Sequence, residues 1–218
     1  MPPPLLVDRL RAAPLAAGAS AALGFGTVFG ALAMSPWFVW TENALSDLGH
    51  PRRESSWVFG AGLAAAGAAY LVFVWALAGA APKTALGAGA LTSLGGGGAS
   101  LSAIGIFNES YGALHLAVSV TYFTLVPVGM LLLALSMRGS DRSIRAATLV
   151  LAVAAGALGL SVAGAQEYGW PFPSQAIPEL AASLLLAGWS VIAAFWVARG
   201  RLAAAGSPEL TPRRPPSA

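Results

Sequence analysis

Apolar residues in this chain come in long unbroken runs rather than in alternation. No Asp, Glu, Lys or Arg occurs in 12–41, 55–82, 84–108, 110–137, 146–166 or 180–198. A helix that crosses a bilayer takes about 20 mostly apolar residues, and each run supplies one. The pattern predicts six transmembrane helices, over 14–37, 56–80, 84–106, 113–137, 145–166 and 177–199. The fold class is then all-α integral membrane, a six-transmembrane-helix bundle. Residues 1–13 read as a cytoplasmic N-terminal segment, 14–199 as the transmembrane domain, and 200–218 as a disordered cytoplasmic tail. That tail contains "GSPELTPRRPPSA", which is polar and rich in Pro. The first apolar stretch, from Leu15 to Trp40, exceeds the roughly 7–15 residues of a secretory signal core, which predicts a retained helix.

Composition agrees. The chain is 56% hydrophobic and 10% charged, with mean hydropathy +0.70, whereas soluble domains carry about 25% charged residues. It has no cysteine, which rules out disulfides, thiolate catalysis, Cys-type zinc sites and iron–sulfur clusters.

The placement of charge orients the bundle. Six spans put both termini on one side, together with Arg9, Arg11, Lys83, Arg138, Arg142, Arg145, Arg199, Arg201, Arg213 and Arg214. Only Arg52 and Arg53 fall on the other side. Basic residues stay on the cytoplasmic face, so both termini are expected inside, in a multi-pass cell-membrane protein. The pI near 9.8 then reflects orientation and contact with anionic membrane lipids; nucleic acid is not an expected partner. Acidic residues show the opposite bias: Glu42, Asp47, Glu54, Glu109, Glu167 and Glu179 are all expected at the outer face. Trp37, Trp40, Trp57 and Trp170 fall at outer helix ends, as in an aromatic belt.

Within the spans, "GASAALGFG", "GAGLAAAGAAY" and "GAGALTSLGGGGAS" bring small residues to three- and four-residue spacing. Such faces let helices approach closely in lipid and offer a surface for a second copy. The run Gly95–Gly98 lacks the Lys-Ser/Thr of a phosphate loop; it and Pro127 mark expected bends.

Polar chemistry concentrates in "TENALSDLGHPRRES", residues 41–55. A capped turn accounts for its Ser, Gly and Pro, with Ser55 or Ser56 capping the second helix. It does not account for Asn43, Asp47, His50, Arg52, Arg53 and Glu54 together. In "FNESYGALHLAVSVTYF", Asn108 fits the end of the third helix, and His115, Ser119 and Tyr122 share one face of the fourth. Glu179 follows Pro178 in the first turn of the sixth helix, where an anion is favoured, with Arg52 or Arg53 as its expected partner. Polar groups in a spanning bundle face its interior, so these features are expected to converge on one outward pocket, with Asp47 paired to Arg52, Arg53 or His115.

"NALSDLG" followed by "GIFNES" and a His entering the fourth helix resembles the prokaryotic membrane family called domain of unknown function 998. The resemblance implies six helices and singles out Asn43, Ser46, Asp47, Gly49, Asn108, Glu109 and His115. More distantly, "LSDLGHPRRESSWVFG" is similar to the "SDTG…PES…FG" loop of the Frag1/DRAM/Sfk1 family, which includes lipid-remodelling proteins. Leu48 stands there in place of Thr, and Arg52-Arg53 in place of Pro-Pro.

Three functions fit these residues. The first is binding or sensing of a lipid headgroup or other amphiphile. Asn43, Ser46, Arg52, Arg53, Glu109, Tyr122 and Glu179 would form the ligand site, with the arginines holding phosphate or carboxylate. The second is a hydrolase of a lipid ester or amide, with Asp47 and His115 catalytic. In its metal form His50, His115 and Asp47 would hold a divalent ion such as zinc. The third, a small-molecule transporter, ranks lowest, because no ionisable residue falls at mid-membrane, where transporters bind.

Overall fold

The computed structural model describes residues 4–137, 141–168 and 174–200, and the side chains among them except those of 4–7, 10 and 162–168. The Trp170 belt position, the Glu167 side chain, Arg138, Arg201, Arg213, Arg214 and the 201–218 tail lie outside this description.

The described residues form six long helices: α1 (Pro4–Ala33), α2 (Ser56–Leu77), α3 (Ala85–Ile106), α4 (Ala113–Ser136), α5 (Arg142–Tyr168) and α6 (Ala176–Ala198). Two short 3-10 turns, Leu45–Gly49 and Glu109–Tyr111, sit in the α1–α2 and α3–α4 connections. Each helix packs on its neighbours in sequence, and α6 closes the ring by packing on α1. Successive helices run antiparallel, so both 3-10 turns and the start of α6 meet at one end.

Among the described residues, α1, α2, α4, α5 and α6 are long and apolar enough to cross a membrane. Their outer faces carry exposed apolar side chains, among them Phe29, Trp75, Val150 and Leu184. Helices apolar all round belong inside lipid, and the chain is a membrane protein. The expected sixth span, α3, is equally long at 22 residues, but its glycines lower its apolarity below that of the other five.

Those glycines set the packing. A Cβ at Gly97 would collide with the Val126 side chain of α4, one at Gly105 with Gly60 O of α2, and one at Gly62 with Thr27 of α1. The expected bends at Gly95–Gly98 and Pro127 are not helix breaks: α3 and α4 run continuously through them. Pro127 packs against Gly156 of α5, so α5 approaches closely where α4 lacks a backbone N–H.

α1 differs from expectation at both ends. It begins at Pro4 and passes through Pro14, so the helix starts before the expected residue 14. Arg9 extends over the Trp75 ring of α2, 4.5 Å from its centre, and Ala13 and Ala17 are buried, which ties this extension to the bundle. The helix ends at Ala33, before Pro36, and turns replace its expected last residues.

Candidate functional site

The site is built on the loop 34–55, drawn down onto the helix ends. The side chain of Leu48 in the first 3-10 turn is fully buried. Gly49 lies so close to Phe59 that a Cβ would stand 2.6 Å from its ring. Ser55 donates to Leu48 O at 2.9 Å and receives Ser35 Oγ at 3.1 Å; Ser56 donates to Gly49 O at 2.9 Å. The expected capping role of Ser55 and Ser56 is thus corrected: Ser55 precedes α2, but no side chain caps its amides. Both hydroxyls instead satisfy carbonyls of the turn.

Two carboxylates from elsewhere in the chain latch this turn. Glu179 Oε2, in the first turn of α6, accepts Leu45 N–H at 2.7 Å. Glu109 Oε1 accepts Ser46 Oγ at 2.8 Å. Ala176 N–H donates to Asn43 O at 3.2 Å, and Ser174 Oγ to Trp40 O. Loop, second 3-10 turn and α6 therefore form one cap over the bundle.

Asp47 takes different partners from those expected. Its Oδ2 accepts Asn43 Nδ2 at 2.9 Å and Ala44 N–H at 3.0 Å, so it closes its own turn instead of pairing with Arg52, Arg53 or His115. The reason is local: a carboxylate three residues into a turn meets the turn's own free N–H. Glu179 likewise finds a backbone amide instead of an arginine. Arg53 lies over the Trp37 ring at 3.7 Å, and both arginines are exposed. Asn108 caps the second 3-10 turn by accepting Ser110 N–H at 3.1 Å, not the end of α3.

Under the cap lies a cavity of about 450 Å³. Ser46, His50, Glu109, His115, Ser119, Gln175 and Glu179 give it polar atoms, and Leu116, Val120 and Phe123 apolar ones. Asp47, His50, Arg52, Arg53 and Glu109 line an adjoining opening. Most expected site residues thus meet at one end. Tyr122 does not: it is buried deeper, below the cavity. His115 Nδ1 donates to Phe107 O at 2.7 Å, a bond that does not involve Nε2. His50 Nδ1 accepts Arg52 N–H at 3.2 Å. Among the described residues no three His, Asp or Glu side chains are grouped as the ligands of one metal ion. His50, His115 and Asp47 do not form the set that the zinc version of the hydrolase reading requires.

Gln175 and the Leu45 amide escape a reading by side-chain type. Gln175 is a single polar residue before an apolar run, and the Leu45 donor is backbone.

Burial raises the Glu109 carboxyl above its ordinary value; Asp47 adds to this, while the Ser46 bond and His115 oppose it. A raised folded value means that the neutral acid is favoured by folding. This contribution to stability is full below the ordinary glutamate value and is lost as pH rises through the folded one. Thermal unfolding of Glu109→Gln, which keeps an acceptor for Ser46, should therefore lose part of the wild-type decline across that window. An unchanged pH slope would remove Glu109 from the buried set.

Gly112 links the second 3-10 turn to α4 with φ 54° and ψ −116°. L side chains are strained there, at about 1–3 kcal/mol. No other residue lies within contact of a Cβ at Gly112, so strain alone acts. Gly112→Ala should lower the unfolding temperature by several degrees and tilt Glu109 against His115; an unchanged transition would contradict this.

The family model described as Protein of unknown function (DUF998) matches residues 15–196. No curated protein and no solved structure matches the chain.

Proposed function

This chain belongs to the DUF998 family, and from that premise and the capped cavity we propose a six-span receptor for a lipid headgroup bearing both an amine and a phosphate. The carrying observation is the pairing of two charge types at adjoining openings. Glu109, Glu179 and His115 line the cavity, while Arg52 and Arg53 stand at the rim. Carboxylates favour an ammonium group, and arginines favour phosphate oxygens.

In this reading α3 spans the membrane between α2 and α4, both termini are cytoplasmic, and the cap faces outward in the cell membrane. A chain without cysteine allows a direct check. Ser110→Cys should react with an impermeant thiol reagent in intact cells, and Ser143→Cys should not. The reverse pattern inverts the topology.

Binding is tested with single-chain lipids on protein in nanodiscs. Lysophosphatidylethanolamine should bind about tenfold more tightly than lysophosphatidylglycerol, which has the phosphate without the amine. Combined Glu109→Gln and Glu179→Gln should erase the difference, and Arg52→Gln should weaken both. Equal affinity in wild type would end the proposal.

A second reading is favoured by His115 alone. Its anchored Nδ1 leaves Nε2 as a general base inside a cavity that also holds carboxylates. Metal-independent hydrolysis of the bound lipid, abolished by His115→Ala, is the expected outcome; no turnover in wild type would leave binding alone.

A further inference from the structure

Two smaller spaces lie inside the ring, below the cap. One of about 80 Å³ shares Ser46, Ser119, Phe123 and Glu179 with the mouth cavity as lining. It shares Leu45, Leu63 and Tyr122 with a further space of about 70 Å³, which Tyr70 and Ser190 also line. Tyr70 lies about 21 Å along α2 from Ser56 at 1.5 Å per residue, well inside the span.

At that depth the Tyr70 hydroxyl is enclosed with no hydrogen-bond partner, on a side chain 4% exposed. Ser190 Oγ is close enough to interact with it, but it donates to Leu186 O at 2.8 Å and makes no hydrogen bond of normal geometry with Tyr70, which leaves room for a better-placed acceptor. An unpaired buried hydroxyl is rare in folded proteins and unfavourable. The tyrosine is not free to swing away: its ring packs edge-on against Phe73, which packs in turn on Trp189. Tyr70 thus presents a fixed, unspent donor to a narrow and mostly apolar space.

We propose that this interior space is a second binding site, for a slender hydrocarbon carrying one accepting oxygen, such as a medium-chain alcohol or carbonyl compound. The oxygen accepts from Tyr70, and the chain lies along Leu63, Leu186 and Tyr122 towards Leu45. A purely apolar guest would leave the Tyr70 donor unmatched. A charged guest would find no counter-ion among the residues lining this space. The site does not depend on the headgroup reading of the mouth.

The test uses a diazirine-bearing decanol and the matching diazirine decane on the full chain in nanodiscs, with labelled residues mapped by mass spectrometry. The alcohol should label α2 and α6 residues around Tyr70 saturably, with competition by unlabelled decanol, and the alkane about tenfold more weakly. Tyr70→Phe, which keeps the ring contacts, should reduce alcohol affinity about tenfold, as for one lost hydrogen bond, and leave the alkane unchanged. Ala187→Trp should block both. Labelling confined to lipid-facing positions such as Val150 and Leu184 would overturn the site. So would equal alcohol and alkane labelling in wild type, which needs no variant to fold and would mean that water satisfies Tyr70. Because decanol carries no amine, failure here leaves the headgroup result standing, and the converse holds.

Discussion

Gly67→Val should yield no monodisperse protein on detergent extraction, while Gly188→Val should elute as wild type does. Gly67 is buried at the α2–α3 contact, where a Cβ would stand 2.7 Å from Gly98 O and closer still to the Ser102 backbone. Backbone atoms cannot rotate aside, so the two helices must separate. Ser102 would also lose its 3.0 Å bond to Ala64 O. Overpacking a formed core costs typically about 1–3 kcal/mol and occasionally more; here the obstacle is backbone, and the larger cost is expected. Gly188 has no neighbour within contact of a Cβ and is exposed on α6. Fluorescence-detected size exclusion of both variants is sufficient. A sharp Gly67→Val peak at the wild-type volume would contradict the tight α2–α3 seam.

Removal of the α6 latch should have the largest effect on the site. Glu179→Ala leaves Leu45 N–H without its 2.7 Å acceptor. Stranding a buried donor costs about 1–3 kcal/mol. Hydrogen exchange at the Leu45 amide should accelerate by about tenfold to a hundredfold. Exchange in the interior of α2 should stay at the wild-type rate. Ser46 would keep its bond to Glu109, so a partial release is expected; Glu109→Ala with Glu179→Ala should free the whole turn. Wild-type protection at Leu45 in Glu179→Ala would mean that the remaining contacts hold the cap without the α6 latch.

The number and order of the helices were legible because uncharged runs are written directly into the chain. The start of α1 was not legible: the uncharged run begins only after Arg11, yet the helix extends back to Pro4, where Arg9 packs on Trp75. The gathering of Glu109, His115 and Glu179 was also legible, since antiparallel neighbours must bring alternate loops to one end. The partners were not. Asp47, Glu109 and Glu179 had arginines within the same polar end, and charge alone favours those pairs. Each instead took a nearer donor: two in its own turn for Asp47, a hydroxyl for Glu109 and a backbone amide for Glu179. Backbone donors carry no mark in a list of side chains. The unpaired hydroxyl of Tyr70 was hidden for the same reason, because a tyrosine in an apolar run reads as packing until its neighbours are known.

On the proposed function, the capped mouth selects an amine-bearing lipid headgroup through Glu109 and Glu179. Native mass spectrometry of protein released directly from its own membranes tests it without a chosen ligand. Wild type should retain an amine-bearing phospholipid in excess of its share of the bulk lipid. Glu109→Gln with Glu179→Gln should lose that excess while it remains folded. Retention of lipid in bulk proportion by wild type, or an unchanged profile in the double variant, would contradict the account.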